Sequence, residues 1–264
     1  MKKEIIYLIR HFYQIQEHRI AFGNQIKKLK EANLSTNPLD EYFVKLYSIE
    51  KEIAKSLKNS IKDEKIWKEF LEKVKGIGPI LASTLINLID IRKARHISSL
   101  WKLGLGTPVC PKCTNEVEKV FINKQGKKIK KKVVIMVDAN QQGSCPKCRR
   151  KGIAPKPRRG VVLPYNPLLR TTFWKIGKSF LMTKSPYRKY YDQRKEYENL
   201  NNSQLKPFHI ERRARRYMLE RFLSDLWLKW REIEGLPISL PYACDKLGHK
   251  FQNYNPDIRK EIQN

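Results

Sequence analysis

The tetrapeptide Cys110-Pro111-Lys112-Cys113 returns as Cys145-Pro146-Lys147-Cys148, and no other feature restricts the fold of this chain as much. A Cys-x-x-Cys turn aims two thiolates at one point, so two such turns supply the four sulfurs of a closed tetrahedral metal site. The expected structure is a zinc ribbon, with Cys110, Cys113, Cys145 and Cys148 as ligands and Zn2+ as a structural cofactor. The shared Cys-Pro-x-Cys form favours zinc, with an iron–sulfur cluster as the alternative. Four protein thiolates leave no open position at which water is activated, and the metal contributes folding free energy on the order of 10 kcal/mol. No βαβ pattern surrounds the pairs, which argues against a redox role. The fifth cysteine, Cys244, and His249 read as unpaired.

Between the two turns lie 31 residues, more than the usual spacing of about 15 to 20. The excess reads as a β-hairpin: Glu116 to Asn123, a turn at Lys124-Gln125-Gly126, and Lys132 to Asp138 with five consecutive apolar residues from Val133. Its tip carries Lys127, Lys128, Lys130, Lys131 and Lys132, and the segment after the second turn carries Arg149, Arg150, Arg158 and Arg159. Such a run is either a solvated, self-repelling loop or, on a two-stranded finger, a set of phosphate contacts. The segment from Pro155 to Pro164 is expected to be extended.

Charge points the same way. Fifty-five Lys and Arg stand against 26 Asp and Glu, a formal net charge of +29, far beyond what solubility requires. A polyanionic partner is implied. DNA is the expected one and structured RNA the alternative. An anionic membrane is disfavoured because no apolar run reaches the roughly 18 residues of a spanning helix. The N-terminus shows no cleavable leader pattern, so a cytoplasmic, nucleoid-associated location is expected and a disulfide framework is not.

The remaining sequence has helical period, and the expected fold class is mainly α, interrupted by the small β insert. The expected order is a helical arm over 1–60, a helix-hairpin-helix over 61–107, the ribbon over 108–152, further helices over 153–234 and an irregular tail over 235–264. Helices are expected from about 3 to 32 and from about 39 to 57, the second capped by Asn37 or Asp40. These two pack together within one chain or pair with a second copy to make a homodimer. In Lys75-Gly76-Ile77-Gly78-Pro79, the glycines permit a tight turn, Ile77 plugs it, and Pro79 opens the next helix. The bare N–H groups there, with Lys75 beside them, suit a phosphate. An ordinary helix connection is the plainer reading. Ser185-Pro186 is expected to cap a helix over Tyr187 to Leu200, whose tyrosines either stack on bases or pack a half-buried face. Arg212, Arg213, Arg215 and Arg216 form an exposed basic turn on a last helix from about His209 to Ile233.

The succession of motifs resembles the C-terminal domain of insertion-sequence transposases of the 110/116/902 group. The resemblance is carried by Gly76-Ile-Gly-Pro-Ile-Leu-Ala82, Leu100-Trp-Lys-Leu-Gly-Leu105, Asn166-Pro-Leu-Leu-Arg170, Tyr187-Arg-Lys-Tyr-Tyr-Asp-Gln-Arg194 and Ala214-Arg-Arg216, over about residues 66 to 233. It implies nucleic-acid binding; the candidate contacts, read from the residues themselves, are Lys75, Gly76, Ile77, Gly78, the ribbon's cations and Arg212, Arg213 and Arg216. Family members join this domain to an acidic nuclease-like domain and supply from it a serine nucleophile for RNA-guided strand exchange. Here the residues before the hairpin are all helical, and the acidic domain is not expected among them. The region where the serine is expected holds the ribbon, with only Ser144 in it. Catalysis therefore does not carry over from the resemblance. An active serine-dependent recombinase subunit and an RNA-binding ribbon protein are the alternatives.

Overall fold

The computed structural model describes residues 3–106, 108–122, 127–139, 143–153, 155 and 161–239. It is mainly helical, with one small sheet in the middle of the chain. The chain divides into two compact units, one built from the residues up to Arg95 with Lys175–Ser239, the other from His96–Trp174.

In the first unit, α1 (Lys3–Glu31) and α2 (Asn37–Ile61) form a hairpin of two long helices. Ile5, Ile9 and Phe12 meet Leu57 in a buried seam, to which Ile80 from the next region adds. The α1–α2 pair is thus packed within the chain at its base. The expected cap is corrected: Thr36 precedes the helix, without a side-chain capping bond, and its hydroxyl donates to Asp40 Oδ2 instead. Asn37 already lies within the helix, followed by Pro38 in its first turn, where a missing N–H costs nothing.

The helix before the glycine turn is shorter than its periodicity suggests. α3 (Lys65–Glu69) ends where Phe70 takes φ −135°, and a single 3₁₀ turn, Leu71–Lys73, follows. Phe70 turns inward to stack on Phe222, with ring centroids 6.4 Å apart. Phe222 also meets Phe180 and Tyr187 edge-on at 5.2 and 5.5 Å. These four aromatic rings, from the residue that ends α3, α6 (Pro167–Met182), the turn before α7 (Arg188–Asn201) and α8 (Pro207–Ile233), are the heart of the unit. Full burial of rings of this size contributes about 1.5–3 kcal/mol each. α4 (Pro79–Leu88) completes it.

Ser185 does not cap α7, a second correction: Tyr187 takes that position, and the buried Ser185 hydroxyl has no hydrogen-bond partner among the described residues. Near the end of α8, Arg231 is buried with carbonyls rather than carboxylates about it. Its guanidinium donates to Ile91 O, Ala94 O and Pro237 O, tying the loop after α4 to the helix.

The second unit is built on a three-stranded sheet ordered β1 (Val109–Ile122), β2 (Lys128–Asp138), β3 (Val161–Val162). β1 and β2 are antiparallel, and β3 runs parallel to β2 at Val134 and Ile135. α5 (Ile97–Leu105) belongs to this unit rather than with the glycine turn. The reason is local. Gly104 lies directly under the Phe173 ring, where any Cβ would overlap it, and Asn166 N–H donates to Leu103 O. The helix runs on through Gly104 and ends only at Gly106, whose φ is +74°.

Candidate metal centre and nucleic-acid interface

The first knuckle is an interruption in the sheet. Between the paired positions Val109↔Asp138 and Thr114↔Met136, β1 advances five residues while β2 advances two. The surplus loops out as Cys110-Pro111-Lys112-Cys113, and the N–H groups of Lys112 and Cys113 point back at Cys110 Sγ, at 3.5 and 3.3 Å. The second knuckle closes on itself: Cys145 N–H donates to Arg150 O, and Arg149 N–H to Cys145 O, both at 2.8 Å. This curl requires a left-handed residue directly after Cys148, and Arg149 adopts it, with φ +58°. Val109 and Ile153 then exchange two 2.8 Å backbone bonds, which hold the knuckles together.

All four sulfurs lie within 4.8 Å of one another, with Cys110 Sγ and Cys148 Sγ 3.5 Å apart and no disulfide among them. Thiolates bound at about 2.3 Å to one tetrahedral ion sit about 3.8 Å from each other, so the arrangement fits a four-sulfur metal site. The Cys113 N–H holds the Cys110 thiol down at about 6 despite its burial, whereas the bond to Cys148 pushes Cys113 up to about 12. Four sulfurs this close do not all ionise unless a cation sits among them. The Cys110, Cys113, Cys145 and Cys148 set is therefore positioned to bind a metal ion, as their spacing leads one to expect. Val137 is the buried residue packed with Cys110 and Cys145, so the sulfurs themselves make up most of the cluster between the knuckles.

Beyond the metal site the hairpin projects as a ribbon. The segment expected as a lysine-rich tip is strand: Lys128, Lys130, Lys131 and Lys132 belong to β2 and are exposed, as is Lys127 just before it. Lys119 stands directly opposite Lys131, and Lys132 opposite Glu118. Like charges face to face destabilise a strand pair, and among the described residues no carboxylate forms an ion pair with Lys128, Lys130, Lys131 or Lys132. Arg149, Arg150 and Lys151 are exposed beside the second knuckle. Arg158 and Arg159, the turn Lys124-Gln125-Gly126, Cys244 and His249 lie outside the described residues.

In the first unit the Lys75–Pro79 turn has the expected form. Gly76 has φ +100°, Ile77 is buried, Lys75 is exposed, and Gly78 precedes Pro79 at the start of α4 without a side-chain capping bond. The Ile80 and Leu81 N–H groups have no intrahelical acceptor there. The glycines differ in surroundings. Gly76 presses on Phe180 and Thr183, while a Cβ on Gly78 would meet nothing within 4 Å.

The basic turn of α8 is less free than its composition suggests. Arg213 binds Glu198 at 2.9 Å, Arg216 binds Glu220 at 2.8 Å, and Arg215 pairs with Glu211. Arg212 lies instead over the Phe208 ring, 4.6 Å from its centroid. The tyrosines at and within α7 also separate: Tyr187, at its cap, and Tyr190 and Tyr191 are buried, and Tyr197 is half exposed. Glu198, sealed from solvent in a mostly polar stretch, binds Arg194, Arg213 and Asn202. An acidic residue within a helix rich in Arg and Tyr is the signal that marks such a network, but the arginine from α8 is visible only in the fold.

No described helix is long and apolar enough to cross a membrane. No protein-family model matches the chain, and neither a curated protein nor a solved structure matches it.

Proposed function

We propose that this is a nucleic-acid-binding protein, with DNA as its partner, in which a structural zinc ion fixes the base of a lysine finger that grips the phosphate backbone. The observation that carries this reading is the finger itself. A four-cysteine cluster anchors a two-stranded ribbon on which Lys119 faces Lys131, with Lys128, Lys130 and Lys132 alongside and exposed. Such an array is unfavourable alone and is relieved by an anion lying along it. A two-stranded ribbon is admitted by the major groove of B-form DNA, whereas the deep, narrow groove of A-form RNA excludes it. The Lys75–Gly78 turn is a second, separate phosphate contact. The motif order supports a relative of insertion-sequence transposases.

Zinc is the metal this reading assigns: four thiolates in a closed tetrahedral set suit zinc, with iron the alternative, and leave no position for water. Its chemistry when bound is to draw the two knuckles together; the chain's own lysines and arginines do the binding. The three candidate serines offer little to a strand-exchange reaction: Ser179 donates its hydroxyl to Gly76 O, Ser185 is buried, and Ser144 lies in a strand bridge with Lys151 beside Cys145. The test is metal analysis of the purified chain, then competition between duplex DNA and structured RNA at matched salt. One zinc per chain and preference for duplex DNA are expected. Iron in the site, or preference for RNA, would contradict the respective part.

A further inference from the structure

We propose that the α7–α8 hairpin carries a stacking platform for unpaired nucleotides, formed by the exposed rings of Tyr197 and Phe208. The proposal rests on the nucleic-acid reading and adds to it a different ligand, single-stranded rather than duplex, at a different place. Tyr197 is 52% exposed and Phe208 58% exposed. They stand out because the neighbouring tyrosines of α7 are turned into the core.

Each exposed ring has a guanidinium laid against it. Arg194 lies 5.0 Å from the Tyr197 centroid, and Arg212 lies 4.6 Å from that of Phe208. The first pair is held in place from below. Glu198, with no exposed surface, accepts from Arg194 at 2.8 Å and from Arg213 at 2.9 Å, so one buried carboxylate fixes the α7 arginine and ties it to α8. The guanidinium is therefore set before any ligand arrives, which lowers the entropy lost on binding.

Charge says what covers these rings. α8 begins with Lys206 as its cap residue, and its first turn contains no acidic side chain, the reverse of what a helix N-terminus ordinarily favours. His209, Arg212 and Arg213 are exposed nearby. A flat apolar ring beside a fixed cation matches a ligand that alternates flat π-faces with anions, which is a nucleic-acid strand. In a duplex the base faces are buried against one another, and only an unpaired strand presents them.

The test uses the full chain with its metal, and labelled oligothymidylate and a duplex of the same length as probes at matched salt. Phe208→Ala and Tyr197→Ala are each expected to weaken oligothymidylate binding by about fivefold to a hundredfold, the range set by loss of one stacked base. Duplex affinity is expected to stay within about twofold, and Phe208→Trp to restore single-strand binding. Unchanged oligothymidylate affinity in both alanine variants would overturn the platform while leaving duplex binding, and the main reading, intact. Failure of the unaltered chain to bind either polymer would remove both.

Discussion

Ser179 Oγ donates a hydrogen bond to the carbonyl oxygen of Gly76 at 2.7 Å, and this bond separates the roles of the two glycines in the turn. Gly76 is structural: its φ is +100°, and a Cβ would come within 2.9 Å of Thr183 Oγ1 and 3.0 Å of Phe180 Cδ1. Gly78 is open. Gly76→Ala is expected to lower stability by about 1–3 kcal/mol in denaturant unfolding, and Gly78→Ala by less than about 0.5 kcal/mol. Gly78→Glu is expected to keep the fold yet weaken binding, by placing a negative charge where a phosphate would lie. Equal destabilisation by the two alanines would contradict the assignment.

Arg149 holds the left-handed position after Cys148 without being glycine, at a cost of about 1–2 kcal/mol for a side chain there. Arg149→Gly is expected to tighten metal retention in chelator competition, and at the same time to weaken binding by removing a cation beside the knuckle. Faster metal loss in this variant would show that the arginine supports the knuckle by other means.

Replacing Cys113 by serine, or stripping the metal with a chelator, is expected to unfold the ribbon, because two of its ligands, Cys110 and Cys145, form with Val137 the buried cluster between the knuckles. Amide protection should fall across 109–138 and persist across 207–233, where Phe222 and its aromatic neighbours form a separate core. Loss of protection in α8 as well would contradict this.

The Glu198 network gives a pH dependence with a definite sign. Burial opposes ionisation of Glu198, but the bonds from Arg213 and Arg194 outweigh it and hold the carboxyl below its usual range. Its stabilisation is therefore present above the unfolded value of about 4.3 and is lost as pH falls through the lower folded value. Glu198→Gln is expected to be destabilised at pH 7, with the gap to the unaltered chain closing below about pH 4. Urea midpoints at several pH values would measure this, and a gap that widens in acid would refute it.

Most of the architecture is legible in the residues. The repeated Cys-Pro-Lys-Cys places four sulfurs together because the knuckle is a local geometry, and the helical periods of α1, α2 and α8 follow from one-sided burial. What the sequence hides depends on partners from far along the chain. The helix before the glycine turn breaks at Phe70 because that ring is drawn to Phe222. α5 joins the ribbon because Gly104 fits under Phe173. Tyr190 and Tyr197 look equivalent in an alternating run of tyrosines and cations, yet α8 covers the first and leaves the second exposed. Among the arginines of α8, pairing with Glu198, Glu211 and Glu220 leaves less free charge than a count suggests.

The salt dependence of duplex DNA binding tests the central claim most directly, measured for the unaltered chain and for a variant with Lys130, Lys131 and Lys132 changed to glutamine. A plot of log affinity against log salt is expected to be steep and negative, and to flatten by about 0.9 for each phosphate contact the variant loses. Metal content and helical signal should be unchanged in the variant. A slope near zero for the unaltered chain, or the same slope for both, would contradict the account of the finger as a phosphate grip.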